Sequence, residues 1–493
     1  MPALLPVATA ILIGYLLVHA LRPLAGAGPR WLVALFELSL GTGLGVGITS
    51  SIFFVLVVSG VASPATILSL DAAVVATLGA MLCLRRSRAP SSGELELPTS
   101  APAFRWNWAL ALALGAALAV ELAAMSTVAQ SNPHGQWDAW AIWNVRARFL
   151  AGPGEVWRNA ISPLLEKTHP DYPLLLAGFV GRCWKVSGNY DTSVPIATAL
   201  SFFLATLGLL VSSLALIRSL SAGLLAGLVL LSGLTYVNQP MAQYADVPLA
   251  FYYLAALSLA FLAWFSPERR KRVLLPLAGA AAALSAWTKN EGLLFLVVFC
   301  GCYALAEWRI SGLKKAARHV LWLLLGALPG LILVGWLKLL LAPVADPVVR
   351  YSAHRVAGGL ARWTRIRWVL RQVFRNAIAF GSGISHPLIL LGVLAASLRF
   401  ALPERDRGPA LFGAGTLAVV LGGYCFVSLG SPTPFDRFYS QLWPAFLLVA
   451  FLALRTVEST MVVIAPKEDK SKTRGKTKKK GRSYRVSAPS RPV

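Results

Sequence analysis

The sequence predicts an all-α membrane protein, a polytopic helix bundle, and three observations predict it. The 493-residue chain is 56% hydrophobic and only 14% charged, against roughly 25% charge in ordinary soluble domains. Apolar runs of about 20 residues recur along it, each long enough to cross a hydrocarbon core of roughly 30 Å. Lys and Arg gather in several of the short segments between those runs, as they do in cytoplasmic loops. In lipid each run must satisfy its own backbone N–H and C=O groups, so each is a helix.

Taken in chain order, the expected spans are 3–21, 32–58, 64–84, 106–125, 191–217, 222–236, 247–265, 273–287, 291–306, 320–341, 386–400, 409–430 and 438–464, about thirteen in all. The first run has no basic leader and no small-residue cleavage site, so it reads as a retained span. Placing the basic loops 85–88, 269–272, 314–318 and 399–407 inside, with the C-terminal tail, puts the N-terminus outside. This path divides the chain into an N-terminal three-helix unit (1–88), a Ser/Pro-rich cytoplasmic linker (89–105), a membrane core (106–341) whose first external loop is 126–190, an Arg-rich external loop (342–385), C-terminal membrane helices (386–464) and a basic tail (465–493).

Much of the formal charge of +25 lies in that tail, where eleven Lys or Arg after Pro466 face two acids. It reads as a solvated, disordered cytoplasmic segment that fixes topology and can meet anionic membrane lipid. It has no folded module and no interleaved aromatics, so nucleic acid is not an expected partner. Four of the five cysteines, Cys83, Cys183, Cys300, Cys302 and Cys425, lie in apolar or amphipathic stretches. Their spacing implies neither a disulfide framework nor a zinc site.

The charges that stand out are at external ends. In QWDAWAIWNVRARFL, Trp137, Trp140 and Trp143 recur every three residues on one side of a helix, which suits a helix lying in the headgroup zone. Asp138 opens it, either as a helix cap or as a catalytic carboxylate at the membrane face. In THPDYPLLL, His169 and Asp171 are first of all turn formers, with acceptor contact as the second reading. Asp246 sits at the mouth of an apolar span, where a carboxylate either caps the helix or is paired and at work. Lys289 and Glu291 lie in SAWTKNEGLLF between two spans, as a charge-paired turn or with the lysine holding a lipid-linked phosphate. Loop 342–385 carries seven arginines, Arg350, Arg355, Arg362, Arg365, Arg367, Arg371 and Arg375, against the single acid Asp346. Val356, Leu360, Trp363, Ile366, Leu370, Val373 and Phe374 share one helical face there, so this is a second interfacial helix. If it is external, so much positive charge answers something anionic, and a polyprenyl phosphate or diphosphate would fit.

The order D-x-x-x-W, HPDYPLLL, YADVPLAFYYLAAL and WTKNEGLLF resembles the lipid-dependent glycosyltransferases of the GT-C fold, nearest to the bacterial protein O-mannosyltransferase and aminoarabinose transferase group. The resemblance covers about Trp106 to Glu291. It implies a GT-C-like bundle in the cell envelope that moves a sugar from a polyprenyl-phosphate donor to a lipid, glycan or protein acceptor on the outer face of the cytoplasmic membrane. It also implies Asp138 as general base or as the group that orients the acceptor, Asp246 as a second carboxylate tied to metal or to site organisation, and Lys289 on the donor phosphate. Arg350 or Arg355 would assist Lys289. A divalent cation (Mg or Mn) would be held by Asp138 and Asp246, and His169, Asp171 and Glu291 would serve as acceptor or loop contacts. Asp138 is followed here by Ala139, where many members have a second acid, and Trp143 stands where a Tyr is expected.

The residues alone make such a transfer workable. A carboxylate can take the acceptor proton while cations stabilise the departing phosphate, and a single displacement inverts the anomeric centre. The rival reading is a multi-pass transporter or lipid flippase, which should place ionisable groups at mid-bilayer. A third is a membrane assembly subunit whose charges only anchor loops.

Overall fold

The computed structural model describes residues 2–86, 106–343, 357–380, 404–430 and 435–453, and all regular structure among them is helical. Four helices open the chain: α1 (Leu5–Leu21), α2 (Arg30–Val58), α3 (Pro64–Arg86) and α4 (Asn107–Ser131). A π-helical turn, Ala139–Asn144, then runs into α5 (Val145–Ala151). After 3-10 turns come α6 (Leu175–Ser187), α7 (Ser193–Ile217), α8 (Leu220–Leu231) and two four-residue helices, α9 (Leu234–Val237) and α10 (Gln239–Ala242). The body continues through α11 (Asp246–Trp264), α12 (Glu268–Thr288), α13 (Asn290–Ser311) and α14 (Leu313–Trp336), the last prolonged by a π-turn to Leu341. α15 (Trp363–Ala379), α16 (Glu404–Gly430) and α17 (Phe435–Ala453) complete it.

Eight helices among the described residues are long and apolar enough to cross a membrane: α2, α3, α4, α7, α11, α13, α14 with its extension, and α16. The count is nine if α8 and the segment Leu234–Ala242, bent by 73°, form one broken span. The sequence predicts about thirteen. Of the others, the first is only 17 residues long as α1, that at 273–287 falls in α12, 438–453 of the last falls in α17, and 386–400 and 454–464 lie outside the described residues.

The core is α11. It is apolar all round, as a fully enclosed helix must be, and every residue from Asp246 to Ala263 is buried. The N-terminal helices are built into the same body. α2 donates from Ser50 Oγ to the Leu175 carbonyl (2.6 Å) and accepts from Tyr252 Oη at the Gly43 carbonyl (2.8 Å). α1 crosses α2 at Gly14, where a Cβ would lie 1.9 Å from the Gly41 carbonyl oxygen. Small residues allow this backbone approach, which is how helices associate without a hydrophobic driving force. Two acids inside the N-terminal bundle are paired, Asp71 with Arg182 and Glu37 with His19, because an isolated buried charge costs several kcal/mol or more.

Charge separates the two ends of the bundle. Arg270, next to the Ala25 carbonyl, the ring of Glu268, Glu307 and His319, and Arg218 at the end of α17 mark one end. The other end carries the turns after α4, α12 and α14 and the starts of α11, α13 and α17. α15 lies over this second end. Arg365 donates to the Ser428 and Leu429 carbonyls, and Tyr439 Oη donates to the Val373 carbonyl (2.9 Å). Val369 is buried, while Trp363, Leu370, Phe374 and Ile378 point outward. An outward apolar stripe beside arginines is what a helix lying in a membrane surface presents.

Candidate active site at the mouth of the bundle

The site starts from a carboxylate at a helix beginning. Asp246 opens α11 with no side-chain cap ahead of it, and Pro248 occupies the first turn, where its missing N–H is no loss. The helix N-terminus favours the negative charge, but Asp246 is fully buried, so it needs partners as well. It has four contacts. Lys289 Nζ lies 3.1 Å and Gln441 Nε2 2.5 Å from Oδ1. Arg437 reaches Oδ2 through Nε at 3.0 Å and Nη2 at 2.6 Å.

Arg437 also joins the two sequence-predicted acids, since its Nη2 is 2.7 Å from Asp138 Oδ2. Its guanidinium lies 4.7 Å over the Tyr244 ring. Burial and then the Asp138 charge push the Tyr244 phenol above its ordinary value. Lys289 is 3.0 Å from Glu291 Oε1. Burial alone would lower the Lys289 ammonium, but Asp246 and Glu291 outweigh it and hold it above the ordinary lysine range. Three carboxylates thus surround two cations. One ammonium hydrogen of Lys289 and the second terminal nitrogen of Arg437 have no partner among the described residues.

The lysine is placed by an elbow. It is the single extended residue between α12 and α13 (φ −151°, ψ 161°). Gly292 makes the elbow tight, because any Cβ there would lie 1.9 Å from the Ser285 carbonyl oxygen. Asn290, one residue on, donates to Asp171 Oδ2 (2.8 Å), and Lys338 Nζ sits 3.1 Å from the same oxygen. The HPDYP segment is therefore pinned to the elbow and to the end of α14. His169 takes a left-handed conformation (φ 51°) and stacks on Tyr172 (4.6 Å), which in turn stacks on Trp143 (5.9 Å). Under this stack lies Arg146, fully buried and bonded to the Ala160 and Tyr172 carbonyls at 2.8 and 2.7 Å. Burial lowers its pKa to about 10. Gln243 is also left-handed (φ 57°) and ties the corner before α11 to the Pro133 carbonyl (3.0 Å). Non-glycine residues held there concentrate at functional sites.

Of the residues singled out from sequence, Asp138, Asp246, Lys289 and Glu291 share one cluster, and Asp171 lies against its neighbour Asn290. His169 serves the turn and the aromatic stack. Arg350 and Arg355 lie outside the described residues. The sequence reading missed Arg437, Gln441, Asn290 and Lys338. Arg437 and Gln441 had one legible signal, polar groups four apart, and so on one helical face, at the polar start FDRFYSQ of an apolar helix.

Asp138 and Asp246 do not fit a shared divalent cation in this arrangement, because Arg437 lies between them and both Asp246 oxygens face cations. No three His, Cys, Asp or Glu side chains converge on a metal position among the described residues.

Compared with protein-family models, with curated proteins and with solved structures, the chain matches none.

Proposed function

We propose that this protein is a membrane glycosyltransferase that moves a sugar from a polyprenyl-phosphate donor to an acceptor at the outer membrane face. The observation that carries this reading is the Arg437 bridge, which puts a partly accessible carboxylate, Asp138, beside the partly accessible Arg437 and the buried Lys289 at the mouth of the bundle. Asp138 is the base. Lys289 and Arg437, each with a donor to spare, receive the phosphate. Asp246 positions them and touches no substrate. The likeness to GT-C transferases supports the same assignment.

In the reaction, the acceptor hydroxyl oxygen attacks the anomeric carbon from the side opposite the phosphate. The carbon–oxygen bond to phosphate breaks, the leaving oxygen keeps the electron pair, and Asp138 takes the hydroxyl proton. Preorganised cations aimed at the leaving oxygen are worth most in a water-poor site. The anomeric centre inverts. In the free protein the Asp138 carboxylate is engaged by Arg437. Donor phosphate draws on Arg437 and frees the carboxylate, so proton abstraction follows donor binding. No step is routed through a metal.

The site end faces outward in this reading, because the basic loops 269–272 and 314–318 belong to the opposite end. A flippase reading draws on one feature, the 73° break after α8, since broken helices line transport paths. The break adds no acidic or basic residue to the path, and the cluster of Asp138, Asp246, Lys289 and Arg437 sits at the bundle mouth, although the pairs Asp71–Arg182 and Glu37–His19 lie among the N-terminal helices.

The test uses purified protein in detergent with radiolabelled polyprenyl-phosphate sugar and an acceptor extract. Transfer by wild type and its loss in folded Asp138→Asn supports the proposal. Retained activity in Asp138→Asn, or a product with the donor's anomeric configuration, overturns the assigned mechanism.

A further inference from the structure

Beside the charged rim lies a second cleft of about 240 Å³, lined by His134, Trp140, Asn144, Arg148, Trp184 and Tyr190. It opens on the outward side of the π-helical turn that begins just after Asp138. Ile142 and Trp143 of this turn are buried, while Trp140 is 49% exposed. π-turns recur at functional sites because they re-aim side chains. Here one turn serves the rim on its inner side and the cleft on its outer side.

The walls are aromatic and fixed. Trp184 Nε1 donates to the Asp191 carbonyl (2.9 Å), and its indole meets Tyr190 edge-on at 5.4 Å. Trp140 is braced edge-on by Trp137 at 4.6 Å. Two planar polar groups enter between these walls. The Arg148 guanidinium lies 5.3 Å over the Tyr190 ring and has no hydrogen-bond or carboxylate partner among the described residues. The Asn144 amide likewise has none. Its oxygen accepts and its nitrogen donates.

We infer that this cleft binds a saccharide. A pyranose offers an apolar C–H face to a flat aromatic wall and a ring of hydroxyls that both donate and accept. Asn144 answers the hydroxyls in both senses, and Arg148 donates to them or to a sugar carboxylate. An alkyl chain laid in the cleft would take water from both polar groups and offer neither a partner. A phosphate would find one cation here, against two at the rim. The volume is below the roughly 300–1,000 Å³ of sites for drug-sized ligands, so it suits one sugar unit. In the transfer proposed above the cleft holds the acceptor glycan. That role rests on the transferase reading, whereas saccharide binding does not.

The experiment is saturation-transfer difference NMR on the full chain in a detergent without a sugar headgroup. The probes are methyl glycosides of glucose, mannose, galactose and glucuronic acid. Saturation should reach ring protons of at least one probe. Asn144→Ala should weaken that binding about fivefold, the loss of one ordinary hydrogen bond, and Arg148→Gln should weaken the glucuronide most if it is the bound probe. Thermal melts confirm that each variant is folded. Asp138→Asn should keep the saccharide signal while losing transfer, so a failed transferase reading and a failed cleft are distinguishable. No saturation of any probe by folded wild type, or equal signals in wild type, Asn144→Ala and Arg148→Gln, overturns the inference.

Discussion

At the scale of single residues the account turns on Arg437. Its guanidinium serves Asp138 and Asp246 at once, a geometry that a planar fork supports and a lysine point charge does not. Arg437→Lys should keep the charge of the cluster but lose the bridge. We expect transfer to fall by on the order of 10²-fold, the cost of removing one preorganised donor, with stability little changed. Arg437→Met removes the charge and leaves the fully buried Asp246 undercompensated. A loss on the order of 3–5 kcal/mol is expected, read as a lower melting temperature. Equal melting temperatures for the two variants would contradict the role given to Asp246. Asp138→Asn should reduce transfer by roughly 10²–10⁴-fold, the usual worth of a general base, with the fold intact. The acids and Lys289 stood out in the sequence as candidates because a charge at an apolar helix end has to cap, pair or act. Arg437 was not. Its partners lie 191 residues away along the chain and at Asp138, and nothing local in FDRFYSQLW says which carboxylate the arginine meets.

At the scale of elements, the α12–α13 elbow controls where the phosphate-binding lysine stands. Gly292→Ala inserts a Cβ 1.9 Å from the Ser285 carbonyl, and neither backbone can yield without opening the elbow. Transfer should drop and the apparent KM for the lipid donor should rise, because Lys289 moves off the rim. An unchanged KM would show that the lysine contacts no donor. The amphipathic helix in the Arg-rich loop was legible from its period, but its orientation was not. Periodicity identified a face of Leu360, Trp363, Leu370 and Phe374 without saying whether bundle or bilayer covers it. In the fold those four are exposed, and Val369 and Phe380 are buried instead. The N-terminal helices show the same limit. A Ser/Pro-rich stretch reads as a boundary, yet α2 is bonded to α6 and α11, contacts that small residues make without a hydrophobic signature.

At the scale of the molecule, hydropathy made the membrane class plain, and among the described residues eight of the expected spans, or nine with the bent pair, meet the length and apolarity of a crossing helix. Apolar composition alone does not separate a membrane span from a helix enclosed by its neighbours. The proposed sidedness is drawn from the charge of the loops, and it is testable. Cysteines introduced singly at Ser131 and Lys315 in a cysteine-free chain should differ in intact cells. A membrane-impermeant maleimide should label Ser131→Cys and spare Lys315→Cys until the membrane is opened; the reverse pattern would put the rim on the cytoplasmic side. The central claim, that this rim transfers a sugar, is met most directly in proteoliposomes carrying doubly labelled polyprenyl-phosphate sugar and acceptor. The account predicts that sugar label becomes acceptor-bound in step with released polyprenyl phosphate, and that Asp138→Asn stops both. Donor lipid crossing the bilayer with its sugar still attached, and no labelled acceptor, would contradict it.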